Sequence, residues 1–197
     1  MKSKKIQAIV IIVVSLTVWA SMGLAAQDKY TLKAPNRVAF SEFRGYETWQ
    51  DVAVSQTVDR IKAIPGNPVM IKAHREGIPG NGKPFPEGSM IVKIEWTKKA
   101  SPVSPYSVVV PDTLKSVSFI EKDSKRFPDT SGWGYAQFLY DAASKTFAPF
   151  GKDSSFGKTD CYECQTRVKE KDFIFTNYPL RYADSGSKCV STMAENL

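Results

Sequence analysis

Apolar residues recur at every second position over Ser89–Thr97, with Met90, Val92, Ile94 and Trp96 on one side and Ile91, Lys93 and Glu95 on the other. Alternation of period two predicts a half-buried strand. Tyr106–Val110, Leu114–Glu121 and Gly132–Asp141 read the same way, separated by turns rich in Pro, Asp and Ser. The last carries Trp133, Tyr135, Phe138 and Tyr140, aromatic residues suited to a sheet surface. Strands in series joined by turns favour antiparallel pairing. Helical spacing appears twice. Phe40, Phe43, Tyr46 and Trp49 recur every three residues, which predicts a short amphipathic helix over Ser41–Trp49. A second helix is bracketed by Asn67 as cap, Pro68 at its first position and Gly77 just past its end. Ile78–Gly88 reads as loop, Asp160 and Glu163 as a capping pair opening a short helix to about Lys169, and Phe173–Phe175 as extended chain. The class expected is α+β, a mostly antiparallel β-sheet with flanking short helices.

The N-terminus has a different pattern. Lys2, Lys4 and Lys5 precede an apolar run from Ile6 to Trp19, and small residues follow at Gly23, Ala25 and Ala26. That is the tripartite form of a secretory signal peptide, so residues 1–26 are expected to be removed on export to a periplasmic or secreted location. The run is shorter than the roughly 20 apolar residues needed to span a bilayer, so no stable membrane anchor is expected. A polar approach over residues 27–36 then leads into a single domain over 37–197.

Charge changes the picture little. Three of the 27 basic residues lie in the signal, leaving 24 against 20 acidic ones, a balance of +4 in the mature chain. The lysines are spread among acidic neighbours, which describes a solvated surface and argues against a nucleic-acid partner.

Cysteine carries the candidate chemistry. Cys161 and Cys164 form a C-x-x-C pair, and Cys189 stands alone near the C-terminus. In an exported protein such a pair reads as a disulfide, half of a zinc site, a redox dithiol, or a haem-attachment motif where histidine follows. The following residue is Gln165. Zinc would need Cys189 and His74, the single histidine, at unhelpful spacing. A dithiol of the thioredoxin kind would need a βαβ setting. The residues alone favour a local disulfide. His74, beside Arg75 and Glu76, reads as a partly exposed polar side chain.

Three blocks together resemble the cytochrome P-460 family. They are Phe85-Pro86-Glu87-Gly88-Ser89-Met90-Ile91-Val92-Lys93; Lys122-Asp123-Ser124-Lys125-Arg126-Phe127 with Gly132-Trp133-Gly134-Tyr135; and Cys161-Tyr162-Glu163-Cys164 with Asp172-Phe173-Ile174-Phe175-Thr176. They occur in the family's order across most of the mature chain. The resemblance implies a periplasmic c-type haem protein, often a homodimer, acting on hydroxylamine or nitric oxide. It implies haem c as cofactor, Cys161 and Cys164 as the thioether-forming residues, and Lys93 as the porphyrin cross-link. Gln165 then stands at the axial-ligand position, where the family has histidine. An amide oxygen is a poor donor to ferrous iron, and the axial ligand sets much of the iron's chemistry. Three readings therefore stay open: a haem oxidoreductase acting on small nitrogen compounds, a non-catalytic haem or gas binder, and a haem-free binding or structural protein with a Cys161–Cys164 disulfide.

Overall fold

The computed structural model describes residues 26–181. The signal segment up to Ala25 and Cys189 lie outside the described residues. Among those described, no helix is long and apolar enough to cross a membrane.

Six antiparallel strands form one sheet in chain order: β1 (Gln50–Gln56), β2 (Arg60–Gly66), β3 (Met90–Ala100), β4 (Val109–Lys122), β5 (Trp133–Asp141) and β6 (Thr146–Pro149). Each connection joins neighbours, as antiparallel pairing permits with short turns. The sheet bears out the α+β class and the alternation read for β3. The central register aligns Val92 with Phe119 and Ala136, and Ile94 with Val117 and Phe138. These residues share the face packed under Phe40, Phe43 and Tyr46. The alternate residues, Ile91, Ile120 and Tyr135 in one row and Lys93, Ser118 and Gln137 in the next, face the other way.

Several local expectations change in the fold. Ser41–Trp49 is not one helix: it forms 3-10 turns at Phe40–Phe43 and Tyr46–Thr48, broken by Gly45 at φ 83°. The aromatic spacing is nonetheless meaningful, because Phe40, Phe43 and Tyr46 are all buried on the sheet. Tyr106–Val110 and Leu114–Glu121 are not separate strands. Val109 to Lys122 runs as a single strand, and register shifts around Trp96 absorb the irregular Pro111-Asp112 stretch. β1, β2 and β6 were not legible in the pattern. β1 is an edge strand that buries only Val52, too few apolar positions to leave a periodic signal.

Helix α1 (Pro68–Arg75) follows its capping signals. The Asn67 side chain accepts a bond from Met70 N at 2.9 Å, and Gly77 adopts φ 85° just past the end. Cap and loop are tied together, because Asn67 Nδ2 also donates to Gly88 O at 2.8 Å. Met70 and Ala73 then face a second buried cluster containing Phe85, Ile91, Trp133, Tyr135 and Ile174. Residues 27–36 are pinned to the sheet: Gln27 exchanges bonds of 2.8 and 2.6 Å with the Phe147 backbone, and Asn36 Nδ2 donates to Tyr135 O at 2.8 Å.

Candidate functional site

The cysteine segment is an irregular helix made of a π turn (Gly157–Tyr162), one α turn (Glu163–Gln165) and a 3-10 turn (Thr166–Lys171). It begins before Asp160, so Asp160 and Glu163 do not cap it. The Asp160 carboxylate instead accepts the Thr159 hydroxyl at 2.7 Å. Glycine at 157 allows a close approach: a Cβ there would lie 3.0 Å from Asn36 Nδ2 and 3.2 Å from Tyr135 O.

The far end of the segment is clamped. Asp172 ends it in the left-handed region at φ 47°, and its carboxylate meets Lys122 Nζ at 3.0 Å. The same carboxylate accepts Phe85 N at 2.8 Å and Trp133 Nε1 at 3.3 Å, and the Lys122 ammonium sits 4.8 Å over the Trp133 ring. A buried ion pair is favourable only when its remaining donors and acceptors are satisfied, and these are. Phe173 is also left-handed, at φ 64°, so Phe173–Phe175 is not simply extended; the double turn buries Ile174.

Between this segment and the polar-row face of the sheet lies a cavity of about 740 Å³. Pockets for small molecules and cofactors fall in the range of about 300–1,000 Å³. Cys161, Cys164, Gln165 and Lys93 all line it. Lys93 and the three candidates Cys161, Cys164 and Gln165, distant in sequence, thus meet on one cavity. Ile64, Ile91, Ile120 and Ile174 make much of the wall. The two cysteines are free thiols in the structure. Burial pushes the Cys161 thiol up to about 11; the positive charge of Lys93 opposes that and Asp160 adds to it.

His74 lies elsewhere. It is not a partly exposed polar residue: 8% of its surface remains exposed, between Phe85 (5.0 Å, edge-on) and Tyr178 (5.4 Å, stacked). Desolvation lowers it to about 4, and a backbone interaction with Ile78 offsets only part of that. Its ring is therefore neutral at physiological pH, and it does not line the cavity. Among the described residues no group of three or more His, Cys, Asp or Glu side chains converges as a metal site.

Sequence reasoning missed Tyr135. It lines the cavity and is 2% exposed, yet its buried hydroxyl has no partner. Gln165 Oε1 is buried and without a partner in the same lining. Orphaned polar atoms in a built cavity are uncommon, because each costs the desolvation of an unmade hydrogen bond. The parity of β5 was readable, but only the register shows that Tyr135 shares the face of Lys93.

The thiols of Cys161 and Cys164 and the amine of Lys93, on a cavity of this volume, are groups that could anchor a porphyrin covalently. They depart from what that group ordinarily uses in lacking an imidazole, since no histidine lines the cavity and Gln165 follows Cys164. No curated protein matches the chain. The sequence profile described as Cytochrome P460 does match, over residues 43–176, which run from the aromatic turns through the cysteine segment. With two thirds of its length matched, and with the cavity assembled from the residues of that stretch, the chain belongs to the cytochrome P460 family.

Proposed function

We propose that the protein is an exported, periplasmic member of the family whose cavity carries haem c attached at Cys161 and Cys164, and which handles hydroxylamine or nitric oxide. The observation supporting this reading is the meeting of Cys161, Cys164 and Lys93 on one largely aliphatic cavity. Haem held there would supply a redox-active iron able to take small gases and nitrogen compounds. The chain's own part is to anchor through the two thiols, to exclude water with Ile64, Ile91, Ile120 and Ile174, and to hold Lys93 at the wall. Gln165 offers a neutral oxygen, a poor donor to ferrous iron, where the family has imidazole. The test is the protein isolated from its native periplasm. Peptide mapping should show the mass of one haem on the Cys161–Cys164 peptide, on a chain beginning near Ala26.

A second reading is favoured by Gln165 itself: a haem-free relative in which the cavity binds another small molecule and the cysteines serve as thiols or pair as a disulfide. Unmodified Cys161 and Cys164, both alkylated after reduction, would overturn haem attachment in favour of this reading.

A further inference from the structure

The cavity floor holds a polar group of residues that neither thiol attachment nor axial ligation uses. Lys93, Ser118 and Gln137 lie side by side across β3, β4 and β5, one row from Tyr135, and all four line the cavity. Lys93 has no ion-pair partner among the described residues. The acid nearest it along β3, Glu95, is taken by Lys62 at 3.4 Å and Arg60 at 3.7 Å. The acid in the lining is Asp160, whose carboxylate accepts the Thr159 hydroxyl, and the second lysine there, Lys62, is the one held by Glu95. Tyr135 keeps its proton well beyond neutral pH, chiefly because it is buried and secondarily because Cys161 and Tyr162 stand near it. Its orphaned hydroxyl is therefore a donor. Tyr135 loses free energy as a buried donor without an acceptor, and the unpaired Lys93 ammonium on the same wall would gain from one. One anion with two oxygens meets both needs, since hydrogen bonds to charged groups are the strong ones.

We infer that Lys93 and Tyr135, flanked by Ser118 and Gln137, form a carboxylate-binding subsite, and that the cavity takes an amphiphile with an apolar body and a carboxylate end. The inference rests on the cavity being the ligand site and does not require haem to be attached. The carboxylate could belong to a porphyrin propionate or to a free organic acid, and the two sources are separable. Lys93 acts here as an ammonium, so peptide mapping that found it covalently modified in the native protein would overturn the inference.

The test is calorimetric titration of the full mature chain, prepared without a haem-attachment system, with two matched pairs of probes: octanoate against octanol, and haemin against haemin dimethyl ester. In at least one pair the acid should bind about tenfold or more tighter than its neutral partner. Discrimination between octanoate and octanol identifies a free acid as ligand; discrimination confined to the haemin pair identifies propionate. Lys93→Met, shown to be folded by an unchanged circular-dichroism melt, should abolish the discrimination. Lys93→Arg should restore most of it, and Tyr135→Phe should weaken acid binding about threefold. Equal binding of acid and neutral probe in both pairs, or discrimination that survives Lys93→Met, would sink the proposal. Absence of haem from the periplasmic protein would overturn the attachment reading alone, because these titrations use chain prepared without it.

Discussion

Phe119 and Ile120 are consecutive residues of β4, and they meet different surroundings. Phe119 is fully buried, stacked on Phe43 with ring centres 4.1 Å apart and planes 7° from parallel. It also touches Phe40, Tyr46 and Phe138 edge-on or tilted. Ile120 packs instead against the second cluster, on the cavity side of the sheet, and is half-buried. Alternate residues of the same strands therefore build one face that is packed shut and one that keeps open volume, the unpaired Lys93 and the unpartnered Tyr135 hydroxyl. The packed face accounts for stability. The open face retains polar groups that a ligand can satisfy, and chemistry is expected where such groups are left standing.

Truncation should show the contrast most strongly. Phe119→Ala is expected to cost about 3–5 kcal/mol in denaturant unfolding, because it removes apolar burial and leaves a void among interlocked rings. Ile120→Ala should cost about 1–2 kcal/mol, since its side chain already borders open volume and loses fewer contacts. Equal costs would mean that the cavity wall is as tightly packed as the aromatic face.

Next comes the clamp joining the cysteine segment to the sheet. Asp172→Ala leaves the buried Lys122 ammonium unpaired and frees Phe85 N and Trp133 Nε1. A loss of about 3 kcal/mol is expected, with faster alkylation of Cys161 than in the parent protein. Unchanged alkylation would show that the segment is seated by its apolar contacts alone.

The two faces should also respond oppositely to pH. His74, on the helix over the open side, has a folded pKa near 4, below its unfolded value of 6.5. Between those values the unfolded chain binds the extra proton, so stability is held above pH 6.5 and lost as pH falls toward 4. Glu121, on the packed side, is pushed up to about 8, first by burial and then by the charge of Glu42. Arg126, 3.1 Å away, opposes the shift without cancelling it, because it is shared with Glu42 at 2.9 Å. The folded chain here keeps a proton the unfolded chain releases above 4.5, so this contribution is present at low pH and lost as pH rises through 8. Melting temperature against pH should show a shoulder on each side. Glu121→Gln should flatten only the alkaline one, and a shoulder that persists in that variant would assign it to another group.

The smallest expected effect has the opposite sign. Tyr135→Phe removes a hydroxyl that has no partner and should be neutral or stabilising by up to about 1 kcal/mol. A loss instead would mean that the hydroxyl is satisfied by bound water. Comparison with Phe119→Ala then separates what the packed face contributes from what the open face retains.

The two faces were not equally legible in the sequence. Met90, Val92 and Ile94 opposite Ile91 and Lys93 is a pattern of period two, and it determined β3, its parity and the antiparallel class without any structure. Asn67, Pro68 and Gly77 determined α1 for an equally local reason: capping and left-handed φ depend on a few consecutive residues. The resemblance of three blocks brought Cys161, Cys164, Gln165 and Lys93 forward as candidates. What remained hidden depends on distant parts of the chain. β1 and β6 are edge strands with few buried positions, and their place follows from pairing. His74 is buried because Phe85 and Tyr178 close over it, which its neighbours Arg75 and Glu76 do not reveal. The Lys122–Asp172 pair joins residues far apart in sequence, as does the row of Lys93, Ser118 and Gln137. Local pattern determined which residues share a side of each element, because side-chain direction repeats with the backbone. Only the tertiary structure decided what those sides face, because register and closure are set by contacts across the whole chain.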